Sequence, residues 1–168
     1  MKKALALTAT LALIFKPIIS FANHLNPPDD IKAGANLMHT NLKGFNLSRL
    51  DLSNTNLSGS YLFLANLIGT DLSNADLSGS NLFLSNLSSA DMSGANLRST
   101  NLNGADMSNA ILIGANLSDA RLNGVNLLDA EMREANLSGA NLSSAILREA
   151  NLSGANLSSA IFRYADLS

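Results

Sequence analysis

The sequence predicts a solenoid, a chain wound into stacked coils around one apolar interior. Three observations carry that prediction. From Leu37 to Leu167 a large apolar residue stands at every fifth position through 27 consecutive pentads; it is Leu in 23, and Met92, Met107, Met132 and Phe162 in the rest. Two places before each centre the residue is small, 17 Ala, 4 Thr and 3 Ser, with Phe45, Leu50 and Val125 departing. Directly before the centre stands Asn or Asp in 21 of the 27. A period of five suits no regular element. On an α-helix five residues advance by about 500°, so successive leucines step round by about 140° and never form a stripe. On a flat strand an odd period sends alternate leucines to opposite faces. A chain that turns a corner once per pentad instead brings every leucine to a common axis.

The elements follow in chain order. Met1-Lys2-Lys3 is a short positive start, Ala4 to Phe15 a twelve-residue apolar run, and Ser20-Phe21-Ala22 places small residues at −3 and −1 of a cleavage site after Ala22. This is the layout of a secretory signal peptide over residues 1–22. The run falls short of the about 20 apolar residues that a membrane span needs; the alternative is an uncleaved amino-terminal membrane anchor. Loss of the leader removes three lysines and leaves 8 basic against 13 acidic residues, net −5. The mature chain is then expected in the periplasm or outside the cell, away from the membrane. Residues 23–34, with Pro27-Pro28-Asp29-Asp30, read as an amino-terminal cap or linker. Residues 35–168 are the repeat.

Within each pentad the residue types divide the work. The small residue points inward beside the leucine, where a larger one would overpack. Asn and Asp suit corners because their side chains bond nearby backbone amides and tolerate unusual dihedrals. Glycine in the last place, as at Gly59 and Gly94, supplies freedom in φ. Fully burying one leucine contributes roughly 1.5–3 kcal/mol, which offsets the ordering of a Ser- and Gly-rich backbone only if nearly all of them point inward.

Ala95-Asn96-Leu97-Arg98-Ser99 and Ala115-Asn116-Leu117-Ser118-Asp119 resemble the A(D/N)LXX unit of the pentapeptide-repeat family, and the likeness runs over residues 35–168. It implies an all-β architecture, a right-handed quadrilateral β-helix of about 6–7 coils with four pentads in each. The recurrence of Ser60 to Leu64 as Ser80 to Leu84, twenty residues on, agrees with that coil length. Arg133 to Ile146 recurs as Arg148 to Ile161 at a spacing of fifteen, which reads as duplication of three units. With strand-like stacking near 4.8 Å, the rod is roughly 32 Å long.

Two groups of residues break the pattern. Tyr61, Phe63, Leu64, Phe83 and Leu84 all fall at outward positions, with Phe63 expected below Phe83 and Leu64 below Leu84. They form either an interaction patch or an outward ladder that holds two coils together. Ile161, Phe162 and Tyr164 give the final coil extra apolar bulk. They form either a contact end, for a docked partner or an end-to-end homodimer, or an aromatic lid on the core. Phe45 and Leu50 suggest a wider first turn, and Ile111 and Ile146 are scattered surface apolar residues of the ordinary kind.

Chemistry is scarce. The absence of Cys excludes disulfides, thiol catalysis and Cys-based zinc sites. His24 and His39 have no partner cluster in sequence, no G-x-S-x-G elbow accompanies the serines, and no phosphate loop, metal loop or basic patch is present. Glu131, Arg133, Glu134, Arg148 and Glu149 read as a solvated charged region. No catalytic residue, metal or cofactor is therefore expected, and no nucleic acid partner. The reading is a non-catalytic exported scaffold or protein-interaction surface, with a protein as its partner. One branch of the family implies an alternative, a DNA-mimicking inhibitor or protector of a topoisomerase such as DNA gyrase. This sequence departs from that branch in its leader, in its preference for Asn over Asp before the centre (15 to 6), and in lacking a carboxyl-terminal dimerisation helix. A crystal- or ice-binding threonine array is weaker still, since Thr40, Thr55, Thr70 and Thr100 occupy inward places.

Overall fold

A computed structural model describes residues 31–168. The expected leader and all but the last four residues of the expected cap lie outside them. Parallel bridges join each residue before a centre to the one twenty later, from Asn36 with Asn56 to Ile146 with Asp166. Twenty residues therefore make one coil and four pentads make its four sides, a right-handed quadrilateral β-helix. We number the faces by their first centres: face 1 from Leu37, face 2 from Leu42, face 3 from Leu47 and face 4 from Leu52. Faces 2 and 4 lie opposite one another. The fifteen-residue duplication steps back one face per copy, so Arg133, Arg148 and Arg163 lie on faces 4, 3 and 2.

An accounting of backbone N–H groups explains why this coil is stable. In the pentad centred on Leu97, the Leu97 N–H donates to the Asn116 carbonyl at 2.7 Å and the Ser99 N–H to the Ser118 carbonyl at 2.9 Å. The Asn96 N–H donates to the coil before, at the Ala75 carbonyl 2.9 Å away. The Thr100 N–H closes the corner on the Leu97 carbonyl at 3.2 Å. Four of five donors are thus met by backbone in every interior pentad. The fifth, on the residue after the centre, has no backbone acceptor.

The interior is filled as the pentad pattern requires. Centres from Leu37 to Leu147 are buried, and Ala or another small residue packs beside each along most of the rod. In the amino-terminal half several small residues are hydroxylic, and they turn inward: Thr55 donates to the Leu52 carbonyl at 2.6 Å and Thr70 to the Leu47 carbonyl at 2.9 Å. Ser80 Oγ alone is buried without a partner among the described residues. At the amino end Ile31 is buried, and Phe45 and Leu50 pack half-buried against the core. The Lys32–Ala35 corner already has the repeat's turn, with Ala35 N–H on the Lys32 carbonyl, so the repeating backbone starts one corner before the first leucine. Among the described residues no helix is long and apolar enough to cross a membrane.

Candidate interaction surface

The outer surface is set by the corners. All 27 residues in the last place of a pentad, from Gly34 to Tyr164, have positive φ; eleven are glycine and sixteen are not. A positive φ at the third residue of a turn distinguishes type II from type I, and most side chains adopt it at a cost. At Gly139 a Cβ would also lie 2.7 Å from Asp119 Oδ1, which leans over it from the coil before and would have to swing aside. Each of the 21 Asn and Asp residues before a centre accepts, through Oδ1, the fifth N–H that the coils leave unpaired; Ser53 N–H on Asp51 at 3.0 Å is one such bond. Where Ser follows, its hydroxyl often adds a second donor, and at Asp51 this Ser53 hydroxyl, then the N–H, holds the carboxyl below the usual carboxylate range. The Ser168 hydroxyl and N–H do the same for Asp166, with the Arg148 charge a lesser cause.

Six residues break this rule: Tyr61, Ile111, Arg121, Glu131, Ile146 and Ile161. The first of them lies at the centre of an apolar cluster on face 2. Phe63 and Phe83 stack one coil apart, their ring centroids 5.6 Å apart and their planes 9° from parallel. The Lys43 ammonium covers the other side of the Phe63 ring, 5.1 Å from its centroid. Tyr61 is 57% exposed, Leu64 51%, Leu84 46% and Phe83 37%, while Phe63 is half-buried between its neighbours. Beside the column an open groove of about 370 Å³ is lined by His39, Asn41, Lys43, Tyr61, Phe63 and Asn81. Face 2 also segregates charge: its pentads carry Lys43, Arg121 and Arg163 and no acidic residue. Opposite, face 4 stacks Asp51, Asp71 and Asp91 in successive coils and adds Glu131 and Glu134, with Arg133 between them.

The last coil is the second candidate. Its centres lose cover: Leu157 is 38% and Leu167 59% exposed. Phe162 is half-buried against the core, whereas Ile161 is 43% and Tyr164 91% exposed. A lid made of all three aromatic and aliphatic groups is therefore not formed; only Phe162 packs inward. Among the described residues no group of three or more His, Asp or Glu side chains is placed to hold a metal ion. The ion pairs Arg98–Asp119 at 3.7 Å, Arg133–Glu131 at 3.3 Å and Arg148–Asp166 at 3.9 Å are solvent-exposed, as surface pairs of small energetic weight are.

The model of the pentapeptide-repeat family matches eight copies of its unit within residues 33–168. The chain belongs to the pentapeptide-repeat family. Among solved structures of that family it is similar to HetL, a protein involved in heterocyst differentiation regulation from the cyanobacterium Nostoc sp. strain PCC 7120. The identity is 33%, over 78% of this chain and 73% of that one, with a TM-score of 0.31. It is similar also to alr5209 from Nostoc PCC 7120, at 31% identity over 49% of this chain and 84% of that one, TM-score 0.46. QnrB1, a plasmid-mediated fluoroquinolone resistance protein, shares 22% identity over 80% of this chain and 88% of that one, TM-score 0.43. No curated protein is significantly similar to it.

For this pentapeptide-repeat chain the coil register brings all five expected patch residues onto one face, and it stacks Phe63 under Phe83. The sequence reading missed Lys43, His39, Asn41 and Asn81, which complete the groove. The signal for Lys43 was available: it lies twenty residues before Phe63. His24 lies outside the described residues. His39 stands at a positive-φ corner with its imidazole over Gly59, at the rim of the groove.

Proposed function

We propose that the chain is a non-catalytic exported solenoid that acts as a scaffold or protein-interaction surface, with face 2 as its contact. Members of the family are generally non-catalytic structural repeat proteins, and the interior of this one is occupied by its own side chains. The observation that carries the proposal is the outward cluster of Tyr61, Phe63, Leu64, Phe83 and Leu84, set against a rim that holds the Lys43 ammonium and the Asn41 and Asn81 amides. A protein is the expected partner, and residues 1–22 are the expected export signal. The exposed last coil, with Ile161, Phe162 and Tyr164, is the surface we assign to an end-to-end contact between copies. Crosslinking-coupled pull-down from the native cell tests face 2. The wild-type chain should capture a protein that a Phe63→Ser/Phe83→Ser variant of near wild-type melting does not. Equal capture by both sinks the assignment.

The DNA-mimic reading is favoured by one feature, the acidic stack on face 4. The cations of face 2 oppose it, because a mimic of duplex DNA must be negative on more than one side. A supercoiling assay with DNA gyrase should show no effect at micromolar excess of the chain.

A further inference from the structure

The groove on face 2 has an excess of hydrogen-bond donors that follows from Tyr61. Because Tyr61 replaces the usual Asn, the Phe63 N–H has no acceptor among the described residues, whereas all 21 corners with Asn or Asp pair that group. The coil above adds a second open donor. Asn81 Oδ1 accepts the Phe83 N–H at 3.1 Å and the Asn101 amide at 3.1 Å, which fixes the orientation of the amide. Its Nδ2 then faces the coil below, the direction in which Asn126 reaches Asp106 at 3.0 Å, and meets the Tyr61 position instead. The Lys43 ammonium lies at the same rim. Of the amide oxygens nearby, Asn81 Oδ1 has both acceptor sites filled, and Asn41 Oδ1 has one filled by the Lys43 N–H at 3.2 Å. Ile111, Glu131, Ile146 and Ile161 leave similar N–H groups open, on Ile113, Arg133, Arg148 and Arg163, but none of these lines the groove.

We infer that this groove binds a carboxylate next to a large apolar side chain, on an acidic–apolar segment of the partner protein. The inference rests on the face-2 contact proposed above and names its chemistry. A carboxylate carries four acceptor sites and no donor, which matches the Phe63 N–H, the Asn81 amide and the Lys43 ammonium. The neighbouring apolar side chain lies on Tyr61 and the Phe63–Phe83 stack. The lack of acidic residues on face 2 leaves the approach of an anion unopposed.

Panning a random heptapeptide phage library against the full chain tests this. Enriched peptides should place Asp or Glu beside a large apolar residue. Their affinity should fall about tenfold or more with Tyr61→Asn, which refills the corner with an acceptor, and also with Lys43→Gln and with Glu→Gln in the peptide. Tyr61→Asn restores the repeat's own cap, so loss of binding is not loss of fold; thermal melting confirms this. Enriched peptides without carboxylates, or binding unchanged in Tyr61→Asn, overturn the inference. Polygalacturonate binding that Tyr61→Asn abolishes, with no peptide enriched, also overturns it, in favour of an acidic glycan. Peptides that lack carboxylates but lose binding in Phe63→Ser/Phe83→Ser would sink only the carboxylate chemistry and keep face 2 as a contact.

Discussion

Faces 1 and 2 share one backbone and differ in what they show to solvent. On face 1 every residue before a centre is Asn or Asp, and Asn96, Asn116, Asn136 and Asn156 each pass an amide hydrogen bond to the coil below. On face 2 the column reads Asn41, Tyr61, Asn81, Asn101, Arg121, Asn141 and Ile161. The corners are nevertheless the same: φ is 57° at Leu64, after the uncapped pentad, and 55° at Ser99, after a capped one. The side-chain cap therefore does not shape the corner. The interior and the inter-coil ladder hold it, so the outer position before the centre is free to carry binding groups. Asn123 shows the tolerance in detail. Its N–H, uncapped by Arg121, finds Asn103 Oδ1 one coil below at 2.9 Å.

The largest test of that contrast is inside. Ala115→Arg, on face 1, puts a charge into a fully buried place and should prevent folding of the mid-rod. Far-UV circular dichroism with near wild-type melting would overturn the inward assignment. Next, Leu97→Ala on face 1 and Leu102→Ala on face 2 should each cost about 2–5 kcal/mol in urea unfolding. A much smaller cost for Leu102 would show that face 2 is not held by the same core. Outside, the two faces should respond with opposite signs. Asn96→Leu removes the cap of the Arg98 N–H and a rung of the amide column, and should cost about 1 kcal/mol. Tyr61→Asn should add about 0.5–1.5 kcal/mol by supplying the missing acceptor. Matching signs in the same urea titration would refute the idea that the cap is a local, separable contribution.

Of similar size, Phe63→Ser/Phe83→Ser removes one stacked pair, worth about 0.5–1.5 kcal/mol beyond its area. A large loss of stability would make the pair a structural ladder rather than a contact surface. The smallest effect is with pH. The carboxyl of Asp51 is lower in the folded chain than its ordinary value, so its contribution is present above that value and fades as pH falls through the folded one. Asp51→Asn keeps an Oδ1 acceptor and should flatten the acid limb of melting temperature against pH. An unchanged limb would remove Asp51 as a cause.

Much of this was readable from residues alone. The inward leucines, the small partners, the Asn or Asp at corners and the glycines were each visible because one pentad suffices to define their roles. The aromatic pair was visible through the twenty-residue recurrence of Ser60 to Leu64. The uncapped Phe63 N–H was not, since an unmet donor appears only once the other four of its pentad are placed. Nor were Leu64, Leu84 and Tyr164 expected at positive φ, a conformation that side chains disfavour and that only the surrounding ladder enforces. The groove escaped notice because its lining comes from residues 39 to 81, three coils that touch only after winding.

The period of five determined that the leucines converge, because no helix or flat strand can bring such an interval to one side. It did not determine how many corners close a coil, since any polygon turns its vertices inward equally well. The tertiary ladder decided that number by joining residues twenty apart. With it came the alignment of Lys43, Phe63 and Phe83 and the placing of a face without acidic residues opposite the stacked aspartates, because side chains on a solenoid become neighbours through stacking and not through adjacency along the chain.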